Sequence, residues 1–262
     1  MGATLRGCVY GSAVGDALGV PFEFMGRGSF RCTDMVGYGT HGKPAGTWSD
    51  DTSMTIATCD SIRELGRIDA DDMRARFERW IFDGAYTVDG VFDFGGTTHR
   101  ALAGGSGCAG VRDNGNGSLM RIAPLAFAGA TDDEVREVSA ITHAHETSTG
   151  ACVRLVRALR SLAGGAPPEE VARACGVDAS APVEEVRSSG YVIHTLEAAL
   201  WCLARTTCYA ECVLAAVNLG GDTDTTAAVA GALAGTAYGE SSIPDRWVGA
   251  LRARDVIDGC LF

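Results

Sequence analysis

Glycine recurs at every fourth residue twice in this chain, at Gly7, Gly11, Gly15 and Gly19 near one end and at Gly231, Gly235 and Gly239 near the other. The intervening residues, rich in Ala, Val and Leu, otherwise read as helix. Each interior glycine costs a helix roughly 1 kcal/mol relative to alanine, so the spacing needs a compensating reason. Residues four apart lie on one helical face, and a face without Cβ atoms lets a second backbone come close. Both segments are expected to be central, tightly packed helices.

The same helical period, broken by Gly-rich turns, runs through the rest of the sequence, and alternating β-type runs are few. The pattern predicts helices over Leu5–Leu18, Ser53–Leu65, Asp71–Phe82, Asp132–Thr142, Thr149–Leu162, Glu169–Cys175, Val192–Ala204, Tyr209–Val217 and Thr225–Tyr238. The fold class is all-α, a mostly helical bundle. At 262 residues, 46% of them hydrophobic, the chain can bury a real core, and one domain over residues 1–262 is expected. Ala163–Pro168 and Gly176–Pro182 read as exposed connections, since Gly, Pro and Ser cluster there without apolar period.

Charge and cysteine usage narrow the function classes. With 33 acidic against 22 basic residues, a net charge of -11 and no Lys/Arg run, nucleic acid is excluded as a partner. Met1–Val20 is broken by Gly7, Gly11, Gly15, Asp16 and Gly19, so it resembles neither a signal peptide nor a membrane span, and no other segment is apolar enough to span. The ten cysteines are scattered without a CxxC pair, which suits reduced, packed thiols in a cytoplasmic protein. A monomer without membrane attachment is expected.

Two acidic clusters carry the chemistry: Trp48-Ser49-Asp50-Asp51-Thr52 and Gly221-Asp222-Thr223-Asp224-Thr225. Each precedes an apolar helical run, where one Ser or Asp would serve as a cap and complement the helix dipole. Two carboxylates flanked by hydroxyls exceed what a cap requires, and adjacent anions repel unless a cation or donor shares them. Oxygen-only donors suit Mg²⁺, Mn²⁺ or Ca²⁺ rather than zinc or copper. Four Asp residues could hold two such ions. The Asp-x-Asp-x-Thr order at Asp222 also spells the pattern of aspartate-nucleophile phosphatases, but there the first Asp ends a buried strand, and Ala215–Leu219 reads as helix.

Glycine loops at Asn114–Ser118, ahead of an apolar helix expected over Leu119–Ala128, and at Asp93-Phe94-Gly95-Gly96-Thr97-Thr98 have the composition of anion-cradling turns, although ordinary turns share it. His143 and His145 could act in acid–base chemistry or cap a helix. His194 and Glu197, one turn apart, read as a structural pair. Tyr191 offers a stacking surface or a core ring.

Taken in order, Gly15–Gly19 with Pro21-Phe22-Glu23-Phe24, the stretch from Trp48, Gly115–Arg121, Thr142–His145 and Gly221–Thr225 resemble the motifs of the ADP-ribosylglycohydrolase family over about residues 5 to 240. The resemblance implies an orthogonal all-α bundle with a central two-metal cleft that holds two Mg²⁺ or Mn²⁺ ions. It implies hydrolysis at the anomeric carbon of the distal ribose, with an ADP-ribosylated protein as substrate and ADP-ribose as product. Arginine is the leading acceptor, serine or threonine the runner-up, and a non-catalytic ADP-ribose-binding module the alternative from another class. Carried across, Ser49, Asp50, Asp51, Asp222, Asp224 and Thr225 are implied metal ligands. Glu23, Asp50, Asp51 and Asp93 are the candidate catalytic carboxylates, and Gly95, Asn116, Gly117, Ser118, Met120, His143 and Tyr191 are implied to contact substrate.

Overall fold

The computed structural model describes residues 3–262, so the first two residues of the Met1–Val20 stretch lie outside it. Among the described residues twelve α-helices form and no β-strand does; β-type pairing is limited to isolated bridges such as Gly115 with Tyr191. No described helix is long and apolar enough to cross a membrane.

The glycine-spaced segments are α1 (Leu5–Gly19) and α10 (Thr223–Tyr238), and their main chains touch. A Cβ built on Gly11 would stand 2.3 Å from the Gly231 carbonyl oxygen, one on Gly15 2.0 Å from that of Ala227, and one on Gly235 2.1 Å from that of Gly7. Partner numbers fall along α10 as they rise along α1, so the helices run antiparallel. The contact spans Gly7 to Gly19, about 18 Å at the helical rise. Both helices are buried on every face, apart from Leu5 and Arg6 in α1 and the last turn of α10, as a central pair must be. Gly239 departs from the pattern. Nothing lies within 4 Å of its missing side chain, and at φ 84° it terminates α10 instead of packing.

The other helices surround this pair. They are α2 (Asp50–Leu65), α3 (Ala70–Asp83), α4 (Gly96–Ala103), α5 (Asp132–Ala140), α6 (Glu146–Ala163), α7 (Pro168–Ala174), α8 (Val192–Ala204), α9 (Tyr209–Asn218), α11 (Asp245–Ala250) and α12 (Arg254–Cys260). α10 packs on α9, α8 and α6 as well as α1, while α2 bridges α1 and α3. Three predicted starts are too late: α2, α6 and α10 begin at Asp50, Glu146 and Thr223 because Ser49, His145 and Asp222 stand at their N-caps. Polar residues that read as loop are first helical turns. The expected helix over Leu119–Ala128 does not form; turns and one 3₁₀ turn at Ala123–Ala126 replace it, with Pro124 removing a donor from its middle. The short helices α4, α11 and α12 have no counterpart among the predicted ones. All ten cysteines are free and seven are buried, so they act mainly as small core residues.

The α1–α10 contact predicts opposite outcomes for two alanine substitutions. Gly11→Ala drives a methyl into a carbonyl on a fixed backbone and should cost about 3 kcal/mol, the upper end of overpacking penalties. Gly150→Ala in α6, where nothing lies within 4 Å, should gain up to about 1 kcal/mol through helix propensity. Urea-denaturation midpoints report both, and an unchanged midpoint for Gly11→Ala would refute the contact.

Candidate active site

Carboxylates gather where α1 and α10 end their contact. Gly19 lies so close to α10 that a Cβ there would meet the Asp224 Cα at 2.4 Å. One turn earlier Asp16 is fully buried, and its Oδ2 accepts hydrogen bonds from the N–H groups of Ser49 (3.0 Å) and Thr52 (3.1 Å) and from the Thr52 hydroxyl (2.5 Å). Asp16 thus caps α2 from another helix and fixes its first turn, with Asp50 and Asp51, against α1. Ser49 caps the same turn locally and donates to Asp51 Oδ2 at 3.1 Å, while Thr225 donates to the same oxygen at 3.2 Å. Asp51 therefore joins the two acidic clusters, 171 positions apart between Asp51 and Asp222, into one.

Ligand-capable oxygens of Asp16, Asp51 and Asp224 lie within 4.8 Å of one another, and Glu23, His41, Asp93 and Asp224 form a second group by the same measure. Asp224 belongs to both. His41 Nε2 is in direct contact with Glu23 Oε2. Burial, and after it mutual repulsion, disfavours the charged forms. Glu23 is pushed up to about 9 by burial and then by the charges of Asp93 and Asp222. Asp16 rises to about 6 through burial, against the hydrogen bonds from Thr52 and Ser49 that pull it down. Asp50, Asp51 and Asp224 are pushed well above the usual carboxylate range, again chiefly by burial. Asp222 is raised by burial too, moderated by a hydrogen bond from Asn116.

The donors present fit a hard divalent cation. Asp51 Oδ1, Asp222 Oδ1 and Asp224 Oδ2 are buried with no hydrogen-bond partner among the described residues. A buried polar atom left unpaired costs about 1–3 kcal/mol, more when charged, and a cation held by the Asp16, Asp51 and Asp224 group would offset that cost there. The donor set is oxygen apart from His41, which matches Mg²⁺ or Mn²⁺.

A cleft of about 250 Å³ opens over this cluster. Glu23, Asp50, Asp93, Asp222 and Thr225 face it from the acidic side, and exposed Phe24 stands at the rim. Gly95 to Thr98, Gly115, Asn116, Gly117, Met120 and His143 complete the lining. Asn116 Nδ2 donates to Asp222 Oδ2 and Thr195 Oγ1, each at 2.9 Å, tying the Gly-Asn-Gly loop to α10 and α8. At Gly117 a Cβ would lie 2.9 Å from Thr98 Oγ1 and 3.0 Å from His143 Cε1, so only a bare backbone fits between them. The helix expected to follow the Gly-Asn-Gly-Ser loop is missing, but the other glycine loop opens a helix: α4 begins at Gly96 with no side-chain cap.

Not every expected site residue reaches the cleft. Ser49, Asp51 and Asp224 lie beneath its floor and do not line it. The Ser118 hydroxyl is turned into the core, 2.9 Å from Ser139 Oγ and 3.5 Å from Cys152 Sγ, because the turn at Leu119 carries it inward; a phosphate contact through that side chain is ruled out. Tyr191 stands beside the cleft, not in its lining, with its ring edge-on to His194 at 5.0 Å. His194 pairs with Ser189 Oγ at 2.7 Å, not with Glu197, and His145 caps α6 by accepting from Thr147 N–H. Two residues escaped sequence reasoning. Asp16 carried a signal, a lone carboxylate on a helix of small residues. His41, in a Gly-rich loop, carried none.

A model of the ADP-ribosylglycohydrolase family matches residues 3–261. The chain is 36% identical to the ADP-ribosylarginine hydrolase Tri1 of Pseudomonas putida, over 93% of this chain and 72% of that protein. It is 33% identical to the ADP-ribosyl-dinitrogen reductase glycohydrolase of Rhodospirillum rubrum, over 94% and 89%. A solved structure described as an ADP-ribosylglycohydrolase-related protein complex superposes with a TM-score of 0.82 at 34% identity, covering 98% of this chain and 94% of that one.

The raised carboxylates predict how stability responds to pH. An acid whose pKa is raised by folding holds its proton more tightly in the fold, so stability falls as pH climbs from its unfolded value near 4 to its folded value. Glu23 extends that fall to about pH 9. His143, pulled down to about 3 by burial, acts in the opposite sense, and its contribution is complete near pH 7. Thermal melts in EDTA should therefore drop between pH 7 and 9. Mg²⁺ or Mn²⁺ at a hundred times its Kd should add about 2.7 kcal/mol and flatten the slope. Melts that are flat in EDTA and blind to both ions would contradict the assignment.

Proposed function

The chain belongs to the ADP-ribosylglycohydrolase family, and from that premise we propose that it is a metal-dependent hydrolase that removes mono-ADP-ribose from modified arginine side chains of proteins. The carrying observation is the set of unpaired buried oxygens on Asp51, Asp222 and Asp224 at a cleft lined by both carboxylates and glycine loops. The names of the relatives in Pseudomonas putida and Rhodospirillum rubrum support the substrate class, and the former supports arginine.

In this reading Asp50, Asp51, Asp222, Asp224, Ser49 and Thr225 hold two Mg²⁺ or Mn²⁺ ions, with Asp16 added to the earlier set. Bound cations would supply charge neutralisation and Lewis-acid polarisation over the distal ribose. The chain's own residues do the rest. The free N–H groups opening α4 at Gly96–Thr98 and the bare backbone of Gly115–Gly117 receive the diphosphate, as helix N-termini and glycine loops do. Asp93, and Glu23 once bound cations offset the burial and repulsion that keep it protonated, face the cleft beside the cluster and are the carboxylates suited to take a proton from the attacking water. Water adds to the anomeric carbon as its bond to the guanidinium nitrogen breaks. The proton taken from water balances the one the leaving nitrogen gains, so arginine and ADP-ribose depart intact. The carboxylates gathered in this cleft also favour a cationic acceptor over a neutral one.

Incubation with arginine-ADP-ribosylated protein should release free ADP-ribose, and EDTA should abolish the release. Asp224→Asn should lower turnover at least about 100-fold, the scale on which a preorganised charge contributes, with unchanged helical circular dichroism. Release of inorganic phosphate, or tight ADP-ribose binding with no release from any acceptor, would overturn the hydrolase reading. Preference for a serine-linked substrate would overturn the arginine assignment.

A further inference from the structure

Behind the cleft wall Arg121 is fully buried, with no carboxylate in salt-bridge reach among the described residues. Its guanidinium lies 4.2 Å from the centre of the Phe77 ring, and Nη2 donates to Thr142 Oγ1 at 2.9 Å and to the Val138 carbonyl at 3.4 Å. Thr142, also fully buried, has its Oγ1 2.8 Å from His143 Nδ1. Arg121 closes the Gly115–Arg121 stretch and His143 belongs to the Thr142–His145 stretch, so this chain of contacts links two motifs.

The donor inventory gives the chain a direction. Arginine can only donate, so the Thr142 oxygen accepts from Arg121. The single Thr142 hydroxyl hydrogen then has one acceptor in reach, His143 Nδ1. If Nδ1 donated instead, that hydrogen would be buried unpaired, at a cost of about 1–3 kcal/mol. We propose that Arg121 and Thr142 are positioning residues that lock His143 as the Nε2–H tautomer, making it a fixed, neutral hydrogen-bond donor to a ligand oxygen in the cleft.

The placement of Nε2 agrees. It has no partner among the described residues and faces the glycine loop, where Cβ atoms built on Gly115 and Gly117 would lie 3.4 and 3.5 Å away. Burial, and then the charge of Arg121, pull His143 down to about 3; Asp113 acts against this and Arg100 with it. The imidazole is therefore neutral across the physiological range, and it orients a ligand without transferring a proton. Arg121, lowered to about 9 by burial, keeps its charge at neutral pH and so keeps donating. The oxygen received is that of a diphosphate or a ribose hydroxyl, an assignment that rests on the proposed function above.

Imidazole ¹⁵N NMR on the ligand-free protein tests the tautomer directly, because the sequence has only five histidines. His143 should show a protonated Nε2 and a bare Nδ1, unchanged from pH 5.5 to 8. Thr142→Ser, which keeps the hydroxyl, should retain that signature. Thr142→Val should lose the single tautomer and weaken ADP-ribose binding in Mg²⁺ about tenfold, with unchanged circular dichroism. A wild-type signal with the proton on Nδ1, or a Thr142→Val protein with both tautomer and affinity intact, overturns the proposal. Should Thr142→Val fail to fold, the wild-type and Thr142→Ser spectra still decide. Failure of the wild type to bind ADP-ribose would strike the ligand assignment alone, since the tautomer is read without ligand.

Discussion

The structure depends on one contact, the touching main chains of α1 and α10. Side chains normally hold packed helices 8–10 Å apart, and the glycines at 7, 11, 15 and 19 remove that spacer along a whole face. Close approach is what sets Asp16 on one helix beside Asp224 on the other. It also leaves both helices covered on nearly every side, so Asp16 and Asp224 lie in the interior of the molecule. α2 is then oriented by Asp16, which holds its first turn, and Asp50 and Asp51 follow from that. A site built in this way cannot shift without shifting the core.

Stability is given up for that rigidity. Six acidic groups, Asp16, Glu23, Asp50, Asp51, Asp222 and Asp224, are all driven above their ordinary ionisation range, which means the fold resists their charges. Ser49, Thr52, Thr225 and Asn116 relieve part of the repulsion by hydrogen bonding to individual oxygens. They do not finish the task, and one oxygen each of Asp51, Asp222 and Asp224 stays buried and unpaired at the cleft. Three carboxylates of one site that each keep an unpaired buried oxygen, with hydroxyls and amides already bonded to their other oxygens, describe a site whose last partner is a ligand.

The sequence carried the architecture better than the details of the site, for physical reasons visible at particular residues. Periodicity is a local signal, so long helices such as α6 and α8 could be read directly, and the glycine spacing announced the central pair. The N-terminal turns of α2, α6 and α10 were masked because capping residues and loop residues are the same residue types. The Leu119–Ala128 segment has helical composition but contains Pro124, and tertiary context won. Within the site, the two acidic clusters were legible because carboxylates adjacent in sequence advertise a shared problem. His41 was not, since it acquires its partners only through the fold, and Asp16 showed only as a lone carboxylate on a helix of small residues. Ser118 shows the converse: a polar residue in the right motif whose side chain the backbone turns the wrong way.

The remaining question is how a chain with a net charge of -11 and an acidic cleft floor accommodates an anionic ligand such as a diphosphate. Long-range electrostatics oppose it, so the favourable terms have to be local and oriented. Three line the same cleft: the uncapped N-terminus of α4, the bare glycine backbone at Gly115 and Gly117, and His143. None of these exposes a full positive charge to solvent. Arg121 supplies one, but buried, and transmits it only as the orientation of Thr142 and through it of the imidazole. That arrangement presents both fixed hydrogen-bond donors for a ligand and unpaired oxygens for cations. A molecule that carries phosphate at one end and a cation-coordinated ribose at the other satisfies both halves of the site at once, whereas an anion or a cation alone satisfies only one.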